Sequence, residues 1–196
     1  MRKRYILLMS AVAMVILPGC SSKSNFYQLY PQTEQEKSMQ TSRLHKKIIG
    51  IAEVDLPEYL DKPQIVTRLS SGRLNVNEEE RWAGALDKNI QSVIAKNLSG
   101  MLPQYTFLPK PWEEPLRENY RIYLSVVRFD ADIKSGNVVF DGRWSLSDPE
   151  NNRLVTGEEV HFKEQGALTL DAMVKAQSRL LERLSRHIAK KLKQSL

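Results

Sequence analysis

Apolar residues recur along the chain with two different periods, and each period predicts one kind of element. In residues 85–102 they recur every three or four positions and a proline follows at 103, which predicts a helix ending there. The same spacing runs from Leu170 to about Lys193, and Thr169 is a candidate N-cap. Asn97 falls within the apolar arc of the first helix, so we expect it to find a hydrogen-bond partner or to lie at the rim.

Shorter stretches rich in aromatic and β-branched residues predict strands between and before these helices. They lie at residues 25–30, 47–54, 65–69, 73–76, 105–108, 120–129, 138–146 and 154–162. Turn-forming residues at 70–73 and 148–152 separate neighbouring strands. The order of strands, helix, strands and helix predicts an α+β fold, with two main helices packed on one mixed or antiparallel sheet. We expect residues 25–196 to form a single domain.

The first nineteen residues have the pattern of a removable export signal. Three basic residues at positions 2–4 precede an apolar run at residues 5–17. That run is shorter than the roughly 20 residues that a membrane-spanning helix needs. We therefore interpret residues 1–19 as a signal peptide that is removed.

Leu17, Pro18, Gly19 and Cys20 resemble a lipobox, the sequence at which lipoprotein signal peptidase cleaves before a lipidated cysteine. Cys20 is the only cysteine, so it has no partner for an intramolecular disulfide. We predict N-acyl and S-diacylglycerol groups on Cys20, with residues 20–24 as a tether. The alternative is an ordinary secretory signal followed by an incidental cysteine. By analogy with lipoprotein sorting, Ser21 in place of an aspartate implies the outer membrane.

Composition narrows the range of partners. The chain is 41% hydrophobic and 27% charged, as globular proteins are. Its net charge of +6 includes three basic residues of the signal, so the processed chain carries +3, from 26 basic and 23 acidic residues. That balance is not typical of nucleic-acid binding, and the position of the charges matters more than their sum.

The sequence contains no strong indication of catalysis. His45, His161 and His187 lie in a predicted loop, strand and helix, and none has a histidine or cysteine at metal-ligand spacing. The nucleophile-elbow, P-loop, HExxH and dinucleotide-binding motifs are absent from the sequence. We therefore predict no enzyme, no metal site and no cofactor beyond the acyl groups of Cys20. A catalytic pair assembled only by the fold stays open.

Basic residues form a stripe along the second predicted helix, at steps of three and four positions. They are Lys175, Arg179, Arg183, Arg186, Lys190 and Lys193. One interpretation is the solvated back of a helix that packs on the core. The other is a surface that binds phospholipid headgroups, lipopolysaccharide phosphates or an acidic partner.

Trp112 lies in a proline-rich loop at residues 109–115. A loop that presents an aromatic side chain is a candidate contact for a partner or a second copy of the chain. Simple packing against the domain is the other interpretation of Trp112.

Several segments in the same order resemble the PqiC/YmbA family, the auxiliary lipoproteins of ABC-type and MCE-type intermembrane lipid transport systems. They are FYQL at 26–29, VDLPEYL at 54–60, RWAGALD at 81–87 with the helix that follows, and DGRWSL at 141–146. The resemblance implies a lipid-anchored protein of the outer membrane that faces the periplasm. It also implies a PqiB-like MCE-domain partner anchored in the inner membrane, which this lipoprotein docks at the outer membrane, and a homo-oligomer in the form of a ring. Family members have no catalytic residues to transfer. The alternative function is a periplasmic lipoprotein that itself holds an acyl chain.

Overall fold

The computed structural model describes residues 23–32, 46–70, 72–112 and 116–196, which form eight strands and two helices. The strands are β1 (Asn25–Tyr27), β2 (Ile48–Asp55), β3 (Gln64–Ser70), β4 (Arg73–Trp82), β5 (Thr106–Pro109), β6 (Tyr120–Asp132), β7 (Asn137–Asp148) and β8 (Arg153–Glu164). The helices are α1 (Leu86–Met101) and α2 (Leu170–Ser195). No helix in these ranges is long and apolar enough to cross a membrane.

Strand β6 organises the sheet. On one side it pairs along its length with antiparallel β7, which pairs in turn with antiparallel β8. On its other side the first half of β6 pairs with parallel β2, and β2 pairs with parallel β5. The last residue of β6, Asp132, pairs with Arg68 of parallel β3. This mixed sheet with two helices confirms the predicted α+β fold.

The β3–β4 hairpin and β1 extend the sheet beside the second half of β6. Strand β4 is antiparallel to β3 and parallel to β1. Since β3 is parallel to β6, β1 runs antiparallel to β6. We call the two ends of the sheet the Tyr120 end and the Asp132 end, after the first and last residues of β6. The chain therefore enters β1 from the direction of the Asp132 end.

Both helices cover one face of the sheet. Helix α1 contacts β2 and β5, α2 contacts β7 and β8, and the helices contact each other. Between helices and sheet lie large side chains without solvent exposure, including Phe140, Trp144 and Leu184. Each contributes about 1.5–3 kcal/mol through burial. The opposite face carries exposed Val127 and Tyr123, because successive strand residues point to opposite sides.

The predicted elements agree with the structure to within two residues at each end, except near β1 and β4 and at the end of β6, which continues three residues past the predicted 129. Helix α2 begins at its predicted cap, where Thr169 Oγ1 accepts a hydrogen bond of 3.2 Å from the Ala172 amide. The strand predicted at 25–30 is too long, since β1 ends at Tyr27. The strand predicted at 73–76 is too short, because pairing with both β3 and β1 continues β4 through an acidic stretch to Trp82.

Residues 28–32, which we call the strap, leave β1 and cross the two helices. Leu29 of the strap is 1% exposed and belongs to the core. The Asn89 side chain of α1 forms hydrogen bonds with both backbone polar groups of Leu29. Asn89 Oδ1 accepts a 2.8 Å hydrogen bond from the Leu29 amide, and Asn89 Nδ2 donates one of 3.1 Å to the Leu29 carbonyl. The apolar side chain and the paired backbone together fix the strap on α1.

Two further contacts continue this arrangement. The Tyr30 amide donates to Ser178 Oγ of α2 at 3.3 Å, and the Gln32 amide donates to Asn97 Oδ1 of α1 at 3.1 Å. Asn97 has no solvent exposure. The prediction that this buried asparagine needs a hydrogen-bond partner is confirmed, and the strap supplies that partner.

A buried charge cluster joins β3 to β6. The Asp130 carboxylate has no exposure and accepts hydrogen bonds from Arg68 (2.8 Å), Arg128 (2.9 Å) and the Tyr59 hydroxyl (3.0 Å). Burial alone would raise the pKa of Asp130, but these donors outweigh it and lower the pKa below its usual value. Burial, together with the neighbouring Asp130 charge, raises the pKa of Tyr59 to about 12.

Candidate docking cleft and basic helix face

The predicted cleavage and lipidation residues, Leu17 to Cys20, lie outside the described residues. Lipidation of Cys20 therefore stays a prediction. Described structure begins at Lys23, three positions after the cysteine.

The order of the strands requires the chain between β5 and β6, which contains Trp112, to cross β2. Strand β5 ends at Pro109 on one side of β2, and β6 begins at Tyr120 on its other side, so the connection must pass over β2. Ile49 and Ile51 are buried beneath the helices, so Gly50 between them faces the opposite side. Trp112 and Glu118 of the connection lie on that side, directly over Gly50, where no side chain projects from the strand.

Glu118 is the centre of this crossing. Its side chain is 6% exposed, and Oε1 forms ion pairs with Lys110 Nζ, at 3.1 Å, and with Arg121. The hydrogen bond to Glu118 raises the pKa of Arg121 above its usual value. Oε2 is buried and has no hydrogen-bond partner in the described part of the chain, and it would lie 1.9 Å from a Cβ at Gly50. The Glu118 carboxylate therefore lies against the backbone of Gly50. Its negative charge is balanced by Lys110 and Arg121, which both contact Oε1.

Trp112 is fixed in the wall of the same crossing. Lys110 Nζ lies 4.8 Å from the centre of the indole ring, within range of a cation–π interaction. Trp112 Nε1 donates a 2.9 Å hydrogen bond to the Leu116 carbonyl, and a ring carbon would lie 2.5 Å from a Cβ at Gly50. The Trp112 side chain is half-buried. Part of it packs against the domain, and part of it is exposed to a possible partner.

The opening beside Trp112, which we call the Trp112 cleft, has a volume of about 700 Å³. Leu116, 47% exposed, adds an apolar contact, and Arg117 and Arg121 line it with positive charge. Pro149 and Glu150 from the β7–β8 turn complete its border. Tryptophan and arginine are the residues most often found at the energetic centre of protein interfaces. These features make the cleft a candidate site for a segment of another protein, and the described residues that line it include no nucleophile beside a general base.

The predicted basic stripe lies on the exposed side of α2, opposite the buried residues of the helix. Three of its members interact with neighbours. Arg179 pairs with Glu164 at 2.7 Å, Arg186 pairs with Glu182 at 2.6 Å, and Arg183 lies 4.7 Å above the Phe162 ring.

The other members are Lys175, Lys190 and Lys193, which have no ionic partner among the described residues. The stripe is therefore partly neutralised. Its role as an anion-binding surface stays a prediction.

Two of the three histidines lie in described segments, and each contacts a carboxylate. His161 contacts Asp141 on the open face of the sheet, and His187 Nε2 lies 2.7 Å from Glu158. His45 lies outside the described residues. Within the ranges that the structure describes, no three His, Cys, Asp or Glu side chains are grouped so as to hold a metal ion.

Sequence reasoning identified Trp112 but missed Gly50, Glu118 and Arg121. The signal that was present is the glycine itself, since a glycine inside an isoleucine-rich strand marks a close approach by another segment. What approaches it follows only from the order of strands in the sheet.

Comparison with known proteins identifies the family. A family model described as an ABC-type transport auxiliary lipoprotein component matches residues 27–189. The intermembrane transport lipoprotein PqiC of Escherichia coli K12 is 24% identical over 188 residues, which cover 93% of this chain and 95% of that protein.

Two solved structures share the fold. One, an uncharacterized protein, has a TM-score of 0.70 and 21% identity over 87% of this chain and 99% of its own. The other, from Xanthomonas campestris, has a TM-score of 0.68 and 14% identity over 85% and 93%. The family match confirms the resemblance seen in the sequence. The family is one of transport auxiliary lipoproteins and not a family of enzymes. The chain belongs to the family of ABC-type transport auxiliary lipoproteins.

Proposed function

We propose that this protein is an outer-membrane lipoprotein of an MCE-type intermembrane lipid transport system. In this role it docks a periplasm-spanning MCE-domain protein, anchored in the inner membrane, at the outer membrane. The observation that carries the proposal is the similarity to an intermembrane transport lipoprotein over 93% of the chain. Lipid passes through the assembly without chemical change, in keeping with membership of a transport family.

The Trp112 cleft is the surface that we assign to the partner. Its aromatic wall, exposed Leu116 and flanking arginines have the composition of an interface centre. We also expect several copies to associate as a ring. The outer edges of β5 and β8 pair with no strand among the described residues, and such edges favour pairing with another chain.

In the alternative function, the protein holds an acyl chain between the helices and the sheet. The space between them is already filled. Fully buried Phe140, Trp144 and Leu184 fill that space. Native mass spectrometry of the purified protein distinguishes the two functions. Co-purifying lipid bound to each copy favours the alternative, and an oligomer free of lipid favours docking.

Two experiments test the proposal. Cys20→Ala is expected to give a folded protein that fractionates with the soluble periplasmic contents, because the acyl chains are lost. A variant that still fractionates entirely with membranes contradicts the tether. A photo-crosslinking amino acid at Trp112 is expected to capture an MCE-domain protein in cells, and the same group at Val127, on the open sheet face, is the control. If neither position captures such a protein, the docking role is wrong.

A further inference from the structure

The direction in which the chain leaves the domain is fixed by strand pairing. Asn25 of β1 pairs with Glu80, and β1 runs antiparallel to β6. The chain therefore enters β1 from the side of the Asp132 end, and Lys23 and Ser24, the described residues before β1, precede it there. The neighbouring pair Gln64–Arg81 lies four positions before Arg68, which pairs with Asp132. The tether consequently starts about 13 Å short of that end, at 3.3 Å per strand residue.

The tether is short enough to orient the domain. Cys20 precedes Asn25 by five positions, a span of at most about 18 Å. It therefore reaches the Asp132 end. From Asn25 the Tyr120 end is about 27 Å away in the opposite direction, since β6 is about 40 Å long. An acylated Cys20 cannot lie at the Tyr120 end.

We infer that the Asp132 end of the sheet lies against the phospholipid surface and that the Trp112 cleft, at the Tyr120 end, points away from the membrane. This inference rests on the proposed lipidation of Cys20. It adds the face of the domain that meets the bilayer, which lipidation alone does not specify. The occupant of that face is a phospholipid surface.

The side chains at the Asp132 end suit such a surface. Leu168 is 63% exposed and lies beside the β6–β7 turn, where the Ala167 amide donates a 3.1 Å hydrogen bond to the Gly136 carbonyl. Arg73 at the tip of the β3–β4 hairpin and Lys134 in the β6–β7 turn are both exposed. An exposed leucine at the same end of the sheet as exposed cations matches the interface of a bilayer that contains anionic headgroups.

Leu154 provides a matched control. It is 67% exposed, close to the 63% of Leu168, and it lies near the start of β8 at the Tyr120 end. Leu168 follows the end of β8, so the two leucines are separated by about 36 Å, the length of the strand. Both belong to the same chemical class and differ in which end of the sheet they occupy.

The experiment uses the full-length, processed lipoprotein with Leu168→Cys or Leu154→Cys. Because lipidation consumes the only native cysteine, the introduced thiol is the only one that an environment-sensitive NBD label can modify. The labelled proteins are reconstituted in vesicles of phosphatidylethanolamine and phosphatidylglycerol, with and without brominated phospholipid. We expect a blue shift and brominated-lipid quenching of the label at position 168, and neither at position 154.

The alternatives are distinguishable. Equal quenching at both positions, or quenching at 154 alone, overturns the inferred orientation. Absence of quenching at both positions in a protein whose intact mass includes the acyl chains shows a domain that stands away from the bilayer, which overturns the inference and leaves the anchor in place. A bare thiol at Cys20 in the intact mass overturns the proposed function and this inference together.

Discussion

Replacing Gly50 with alanine tests whether the Trp112 cleft depends on a bare strand position. The added Cβ would lie 1.9 Å from Glu118 Oε2 and 2.5 Å from a ring carbon of Trp112. Ordinary contacts at a Cβ begin near 3.4 Å, so the carboxylate must retreat by about 1.5 Å and the ring by about 0.9 Å. A shift of that size breaks the ion pair of Glu118 with Lys110, now 3.1 Å long.

Gly50→Ala changes the free energy of unfolding through two destabilising contributions and one stabilising contribution. Overpacking of this kind costs about 1–3 kcal/mol. Disrupting the partners of a buried charged group adds about 1–3 kcal/mol. Alanine recovers about 0.5–1 kcal/mol because it restricts the unfolded chain more than glycine does. We therefore expect the free energy of unfolding to fall by about 3 kcal/mol, which for a domain of this size lowers Tm by about 6–12 °C.

Urea unfolding of the purified variant measures this loss, and near-UV circular dichroism reports the displaced indole. Gly84→Ala is the matched control, since a Cβ there meets nothing within 4 Å, and we expect it to change stability by less than about 0.5 kcal/mol. Glu118→Ala and Trp112→Ala, made singly and together, should reduce the cost of Gly50→Ala because they remove the clashing atoms. A Gly50→Ala variant with wild-type stability and an unchanged aromatic spectrum would refute the proposed seating of the crossing on β2.

Two further predictions concern the buried charge cluster and the strap. Asp130→Asn removes the buried carboxylate charge that Arg68 and Arg128 both contact, and we expect a loss of about 3 kcal/mol at neutral pH. Because the pKa of Asp130 is lowered in the folded state, its contribution is complete above the usual value of 3.8 and is lost as the pH falls through the lowered pKa. Urea unfolding across that range should show a steeper acid loss for wild type than for Asp130→Asn, and equal slopes contradict the assignment. Asn89→Ala removes two hydrogen bonds, each worth about 1 kcal/mol, so exchange of the Leu29 amide should accelerate by about tenfold or more. Exposed Asn75→Ala is its control, and unchanged Leu29 exchange contradicts the role of Asn89.

The helices and most strands could be predicted because their periods are local properties of the chain. Residues 86–101 and 170–195 repeat their apolar positions at helical spacing, and Thr169 supplies a cap in the expected place. The misjudged elements depend on distant partners. Strand β4 continues through acidic residues because β1, more than 50 positions earlier, pairs with its last three residues.

The residues of the Trp112 cleft also depend on distant partners, which a local sequence pattern does not reveal. Trp112 was visible because proline and tryptophan are conspicuous in a loop, whereas Glu118 acquires its meaning from Gly50, 68 positions earlier. Asp130 is likewise an ordinary acidic residue in the sequence. Its partners Tyr59 and Arg68 come from other segments, which only the packing of β3 beside β6 brings together.

Under the proposed lipidation of Cys20, the strap and β1 acquire a mechanical role. Any pull on the tether acts along the axis of β1, so it loads the three β1–β4 residue pairs in shear, all at once rather than one after another. Behind them, the Asn89, Ser178 and Asn97 contacts hold the strap across both helices. A load applied ahead of β1 is thereby passed to both helices, and the β1–β4 pairs must separate together before β1 leaves the sheet.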